Sequence, residues 1–187
     1  MKKRFVGTAA SSVLVSMMVS APAGAVERQH HLGAGGGIAL LKVDDKSTMS
    51  AGGMGSLHYA YGFSDAFNLV AEGGYSLVAL GEEKGAGIPA TRPAGIGHLG
   101  AGATYVLDVI QWVPYIGLLG TGYTFHGGSI DGVKGAFGAT VAVGLDYQLS
   151  RSFAFGLAGR QHVVLSALST YPTFTEGFVR FEVLWGW

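Results

Sequence analysis

Residues 176–187, EGFVRFEVLWGW, alternate bulky apolar side chains with charged or small ones. The charged residues Arg180 and Glu182 occupy even positions, and the odd positions are apolar without interruption. A period of two is typical of a β-strand, because successive side chains point to opposite faces of the sheet. The stretch therefore predicts a strand whose apolar face carries Val179, Phe181, Val183, Trp185 and Trp187.

The same alternation recurs upstream, and in each segment one face is apolar and free of charge. Short turn signals at 63–67, 107–112 and 149–153 alternate with longer links at 44–48, 81–93, 127–134 and 167–173. Together they predict eight strands, at approximately 32–43, 48–63, 67–80, 94–107, 112–126, 134–149, 153–166 and 173–187.

The composition excludes several classes of protein. Charged residues make up 13% of the chain, against about 25% in soluble proteins. There are 32 glycines and no cysteine, so disulfide bonds are excluded.

Residues 1–25 have the basic start, apolar stretch and small-residue end of a cleavable signal peptide. Without Lys2, Lys3 and Arg4, nine basic residues face twelve acidic ones, and we predict no binding of nucleic acid.

Residues 26–187 are predicted to form one domain, a transmembrane eight-stranded antiparallel up-and-down β-barrel. No apolar run after residue 25 is long enough for a spanning helix. In hydrocarbon a sheet must close on itself, because an unpaired backbone group there costs several kcal/mol. The bulky face carries no charge, whereas the other face carries charge, glycine and serine, so we assign the bulky face to lipid.

Aromatic residues are predicted to form girdles at the two membrane interfaces. The set near the short turns is Tyr61, Phe63, Phe67, Tyr105, Trp112, Tyr115, Tyr147, Phe153, Trp185 and Trp187, and the set near the loops is Tyr75, Tyr123, Phe125, Phe137, Tyr171 and Phe174.

With this pattern the chain resembles the small eight-stranded outer-membrane barrels of Gram-negative bacteria, the group of the OmpA transmembrane domain and OmpX. The resemblance implies an outer-membrane location, contact with outer-membrane lipid and lipopolysaccharide, and recognition of the last strand by the outer-membrane assembly machinery during biogenesis. The assembly signal falls on Val179, Phe181, Val183, Trp185 and Trp187, although the family usually ends in Phe. We expect a monomer, with no peptidoglycan-binding domain after the barrel.

The lumen is predicted to hold a paired charge network of Glu72, Arg160, Arg180 and Glu182, because buried charges need partners. Asp146, His58, His98 and His162 are also predicted to point inward. Ten glycines are assigned to the same face: Gly35, Gly37, Gly52, Gly74, Gly100, Gly102, Gly120, Gly138, Gly144 and Gly156. Since eight-stranded interiors are normally filled by side chains, we expect a plugged lumen, with a narrow pore as the alternative.

For catalysis, the nearest candidates are His126 and Ser129, which resemble the His and Ser of the lipid A deacylase barrels. Here two residues separate them instead of one, which argues against an enzyme. The adjacent His30 and His31 are interpreted as a solvated pair, and we predict no cofactor and no metal site. The predicted role is structural, adhesive or surface-interacting through the outer loops. A narrow-pore transporter and a lipid-A-modifying enzyme are the alternatives.

Overall fold

The computed structural model describes residues 28–44, 49–78, 92–107 and 111–186 of the 187-residue chain. Eight strands follow one another and close into a barrel, which confirms the predicted fold class. Their bounds lie within three residues of the predicted ones: β1 His30–Lys42, β2 Ser50–Gly62, β3 Phe67–Val78, β4 Gly95–Val106, β5 Trp112–His126, β6 Val133–Gln148, β7 Phe153–Val163 and β8 Thr173–Trp185. A single 3-10 turn, Leu165–Ala167, lies between β7 and β8. No helix among the described residues has the length and apolar character needed to cross a bilayer.

The barrel closes because the first and last strands pair. β1 runs antiparallel to β2 on one side and to β8 on the other, with His30 opposite both Tyr61 and Trp185. β8 is paired with β7 on its other edge. Residues 176–183 of β8 therefore have a partner strand on both sides, as a strand in hydrocarbon requires.

The bulky side chains lie outside the barrel. Tyr59, Val143 and Phe181 are 40%, 47% and 45% exposed, whereas Arg180 and Glu182, on the other face of β8, are buried. An apolar exterior around a charged interior is the arrangement of a barrel solvated by lipid.

The two ends of the barrel differ. At the short-turn end, tight connections follow β2 and β6, for example through the Phe63 N–H donating to the Phe67 carbonyl. At the loop end, β5 and β6 extend beyond the end of β7. They pair with each other from Val133, whereas β6 pairs with β7 only from Ala139 onward. Gly127, Gly128 and Gly132 have positive φ angles of 69°, 65° and 72° in the loop that joins β5 to β6. The predicted signal peptide, most of the 81–93 loop and Trp187 lie outside the described residues.

The prediction for β5 is wrong in its orientation. Tyr115, Tyr123 and Phe125 were expected in the girdles, but they are buried inside, while Gly120 faces outward. β5 carries bulky residues on both faces, so that apolar size alone does not tell them apart. Glycines of neighbouring strands make room for the inward rings: a Cβ on Gly144 would collide with the Tyr115 ring.

Two further predicted girdle aromatics, Tyr171 and Phe174, are also buried. They belong to an apolar cluster that fills the loop half of the barrel, defined here as the outer plug. Its members include Leu41, Val43, Met54, Val78, Ile96, Tyr123, Phe125, Ile130, Val164, Tyr171, Phe174 and Phe178. A smaller cluster of Ala60, Val70, Val106, Tyr115, Leu119 and Ala142 lies in the short-turn half.

Candidate functional site

The lumen holds two groups of ion pairs in its short-turn half. In the first, Arg180 donates from Nε to Asp146 Oδ1 at 2.8 Å, and its Nη2 contacts Asp146 Oδ2 and, at 2.9 Å, Glu182 Oε1. All three side chains are buried. A buried guanidinium that faces two carboxylates offsets the cost of removing those charges from water.

Glu182 also contacts two histidines. His58 Nε2 lies 2.6 Å from Glu182 Oε1, and His31 Nδ1 lies 3.1 Å from Glu182 Oε2. The neighbouring His30 faces outward, where it stacks on Trp185 at 5.5 Å and its Nδ1 lies 2.7 Å from the hydroxyl oxygen of Tyr59. His30 and His31 therefore lie on opposite faces of β1 and do not form one ligand pair.

The second group joins Arg160 and Glu72. Arg160 donates from Nε and Nη2 to Glu72 Oε2 at 3.0 and 2.9 Å. Tyr115 lies between the two groups: Arg160 Nη1 is 3.4 Å from its hydroxyl, and the Arg180 guanidinium carbon lies 4.3 Å from its ring centroid. The four charged residues predicted for the lumen thus form two ion-pair groups. Asp146 and Tyr115 complete the arrangement, although Tyr115 was predicted to lie in the girdle near the short turns and not in the lumen.

The space between these groups is small. A cavity of about 60 Å³ is lined by both arginines, by Glu72, Asp146 and Glu182, and by further polar and apolar residues of the short-turn half. Such a volume holds a few water molecules at most. Polar side chains, the smaller apolar cluster and this cavity together occupy the short-turn half of the lumen.

A third polar cluster lies deeper, toward the loop end, and is centred on Glu176. Its Oε2 is 3.2 Å from His162 Nε2, its Oε1 is 3.9 Å from His98 Nδ1, and Ser76 Oγ donates to Oε1 at 2.6 Å. Glu176 was not among the residues predicted for the lumen. Its even position puts Glu176 on the same face of β8 as Arg180 and Glu182, so the alternation of the strand could have predicted that it points inward.

Above this cluster the lumen is filled by aromatic rings. Phe174 stacks on His162 with centroids 4.4 Å apart, and Phe125 stacks on Tyr171 at 4.2 Å. Burial raises the pKa of Tyr171, in the loop after β7, to about 12. The two ion-pair groups therefore lie in the short-turn half beside the smaller apolar cluster, and the outer plug lies in the loop half next to the Glu176 cluster.

The residues considered for catalysis have other contacts. His126 Nε2 lies 2.8 Å from the Tyr75 hydroxyl. Ser129 Oγ accepts from the Arg92 N–H at 3.0 Å and donates to the Arg92 carbonyl at 3.3 Å. The two Ser129 bonds hold the β5–β6 loop against the chain that leads into β4.

A closed sheet with an apolar exterior and a filled polar interior defines an integral membrane β-barrel. The family described as "Outer membrane protein beta-barrel domain" matches residues 11–174, and the chain belongs to this family. It is therefore a protein of the outer membrane of Gram-negative bacteria. No protein among curated sequences matches the chain significantly.

Solved structures share the fold at low sequence identity. Neisserial surface protein A is 14% identical, with 82% of this chain and 96% of that one covered and a TM-score of 0.64. The N-terminal barrel of OprF from Pseudomonas aeruginosa is 10% identical, with 85% and 98% covered and a TM-score of 0.62. Ail, the attachment invasion locus protein of Yersinia pestis, is 11% identical, with 85% and 99% covered and a TM-score of 0.57.

Proposed function

We propose that this protein acts at the cell surface as an adhesive or surface-interaction protein, through its outer loops and without conducting solutes. The observation that carries the proposal is the filled lumen: charge pairs occupy one half and the outer plug the other. Because side chains fill the lumen of the described part of the barrel, the loop end is the surface we assign to partners outside the cell.

The described parts of the loops are fastened to one another, which favours a defined binding surface. The Asp44 N–H donates to the Thr170 carbonyl at 2.9 Å, and the Ser129 N–H donates to the Arg92 carbonyl at 3.0 Å. Tyr171 and Ile130 reach from two loops into the outer plug. A preorganised surface loses less conformational entropy on binding than a mobile one.

The loop between β7 and β8 exposes two leucines at this end. Leu165 and Leu168 are 53% and 46% exposed, outside the paired part of the strands. Exposed apolar side chains on an ordered loop are suited to contact another macromolecule. The names of Neisserial surface protein A and of the attachment invasion locus protein agree with such a role on this fold.

The remaining partners are part of the same proposal. The exterior contacts outer-membrane lipid and lipopolysaccharide, the barrel is a monomer, and the apolar face of β8 is the signal for the assembly machinery. The protein is not an enzyme on this proposal, since Ser129 is bonded to the Arg92 backbone and His126 to Tyr75.

The surface role predicts that adherence depends on the loop after β7. Bacteria that lack their own adhesins and display the wild-type protein should adhere to epithelial monolayers more than bacteria without it. Leu165→Ser/Leu168→Ser should remove most of this gain, because it removes the exposed apolar contacts. Leu99→Ser, at an exposed site on β4, serves as the matched control and should adhere like the wild type.

Two further outcomes bear on the proposal. Heat-modified migration of each variant on gels establishes that the barrel has folded.

In planar bilayers the wild-type protein should give no stable conductance steps. Stable conductance that changes in Arg160→Met would favour the narrow-pore transporter instead, and altered lipid A mass that disappears in Ser129→Ala would favour the enzyme.

A further inference from the structure

His98, His162 and Glu176 converge in the middle of the lumen from β4, β7 and β8. One donor atom of each residue lies within 4.8 Å of the donor atoms of the other two, and all three residues are buried. We propose that this cluster, called here the lumen triad, binds a divalent transition-metal ion of the Zn²⁺ class. The inference does not depend on the proposed surface role.

The donor set suits this class of ion. Two imidazole nitrogens and one carboxylate oxygen are a known protein ligand set for Zn²⁺, with a fourth position left for water. Donors at about 2.1 Å from a tetrahedral ion lie roughly 3.4 Å apart. His162 Nε2 and Glu176 Oε2 are already 3.2 Å apart, and His98 Nδ1 is 3.9 Å from Glu176 Oε1. These two distances reach different oxygens of the Glu176 carboxylate, so the site forms when the His98 ring moves toward the oxygen that faces His162.

His98 supplies an independent observation that points to a ligand. Its side chain is only 2% exposed, and its Nδ1 has no hydrogen-bond partner among the residues that the structure describes. The 3.9 Å separation from Glu176 is too long for a hydrogen bond. An unpartnered buried nitrogen is costly, and a metal ion bound to Nδ1 would remove this cost.

The other two ligands are held from behind, as metal ligands usually are. His162 Nδ1 lies 2.9 Å from Thr140 Oγ1, so that a proton on Nδ1 leaves Nε2 to face Glu176. Ser76 Oγ donates to Glu176 Oε1 at 2.6 Å. Both contacts orient their ligand toward the centre of the triad.

Charge distinguishes the lumen triad from the two ion-pair groups. Glu72 faces Arg160, and Glu182 faces Arg180. Within the described part of the chain, the ion pairs of Glu176 are with His98 and His162 alone, and histidine is cationic only when protonated. Arg160 lies opposite Glu176 in the pairing of β7 with β8, but its guanidinium is ion-paired with Glu72. A bound dication would supply the positive charge in direct contact with Glu176. His31, His58 and Glu182 offer the same residue types, but Arg180 already neutralises that carboxylate and would repel a metal ion.

The test measures metal directly. The chain, purified without a polyhistidine tag, is folded into detergent micelles with Zn²⁺ present, dialysed, and analysed for metal content. One Zn²⁺ per folded chain is expected, and Co²⁺ in its place should give the visible absorption of a tetrahedral site. Glu176→Gln should abolish both signals. Thr140→Val should weaken affinity by about 10- to 100-fold, since it removes a contact behind a ligand.

His58→Gln is the matched control, because it replaces a buried histidine that also contacts a glutamate. It should bind one Zn²⁺ like the wild type. If any variant fails to fold, X-ray absorption of the Zn²⁺-loaded wild-type protein decides, and two imidazole ligands are expected. The proposal is overturned by a wild-type protein that retains no metal, by fewer than two imidazoles, or by Glu176→Gln binding as well as the wild type. Equal loss in His58→Gln would place the metal elsewhere and also overturns it.

Discussion

Replacing Arg160 with methionine is expected to lower the free energy of unfolding by about 3–5 kcal/mol, the usual cost of breaking a buried ion pair by removing one partner. The change leaves the buried Glu72 carboxylate without the guanidinium that now contacts it through Nε and Nη2. Equilibrium unfolding in urea, with the barrel in lipid vesicles or detergent, measures the loss.

A double variant separates the pair from the bulk of the side chain. Glu72→Met/Arg160→Met should recover most of the stability lost in the single variant, because removal of both charges leaves no buried charge unpaired. Arg151→Met, at an exposed position in the β6–β7 turn, should change stability by no more than about 0.5 kcal/mol. A single variant as stable as the wild type would show that the contact between Arg160 and Glu72 is unimportant for the fold.

Arginine in place of Leu118 is expected to cost about 2–4 kcal/mol of stability, the range for a cation on the lipid face near the bilayer midplane. Leu118 is 62% exposed near the middle of β5, where it lies opposite Ala103 and Val141. Folding into vesicles and unfolding in urea measure the difference from the wild type.

The matched position is Val133, which is 71% exposed at the loop end of β6. Val133→Arg should cost only about 0–1 kcal/mol, because a cation near the interface reaches water and headgroups. Equal losses at positions 118 and 133 would contradict the assigned depth of the strands. A stabilising effect of arginine at 118 would place that face in water.

The strands could be predicted because one physical rule governs most of them. Wherever one face is bulky and the other charged or small, as in β8, parity alone assigns lipid and lumen. In β5 the rule fails, since Leu118 and Leu119 are both large while the first is exposed and the second buried. The inward rings of that strand fit because glycines such as Gly144 on the next strand leave space.

The polar interior could be predicted only in part. The parity of β7 and β8 places Arg160, Arg180 and Glu182 inside, but which charge meets which depends on the stagger of the strands around the barrel. Glu72 and Arg160 are contributed by β3 and β7, which are not neighbours in the sheet. The lumen triad likewise joins β4 to β7 and β8 across the interior. The distances between side chains on strands that are not neighbours cannot be read from the amino-acid sequence alone.

The most direct measurement of the lipid-facing assignment uses the absence of cysteine from the chain. Val143→Cys carries a spin label on the outward face of β6, and Ala142→Cys carries one on the inward face; the native side chains are 47% and 1% exposed. In vesicles the label at 143 should collide readily with oxygen, which concentrates in the bilayer, and rarely with a water-soluble nickel chelate. The label at 142 should be immobilised and shielded from both. A label at 143 that is shielded from oxygen, or that meets the nickel chelate more often, would contradict the account.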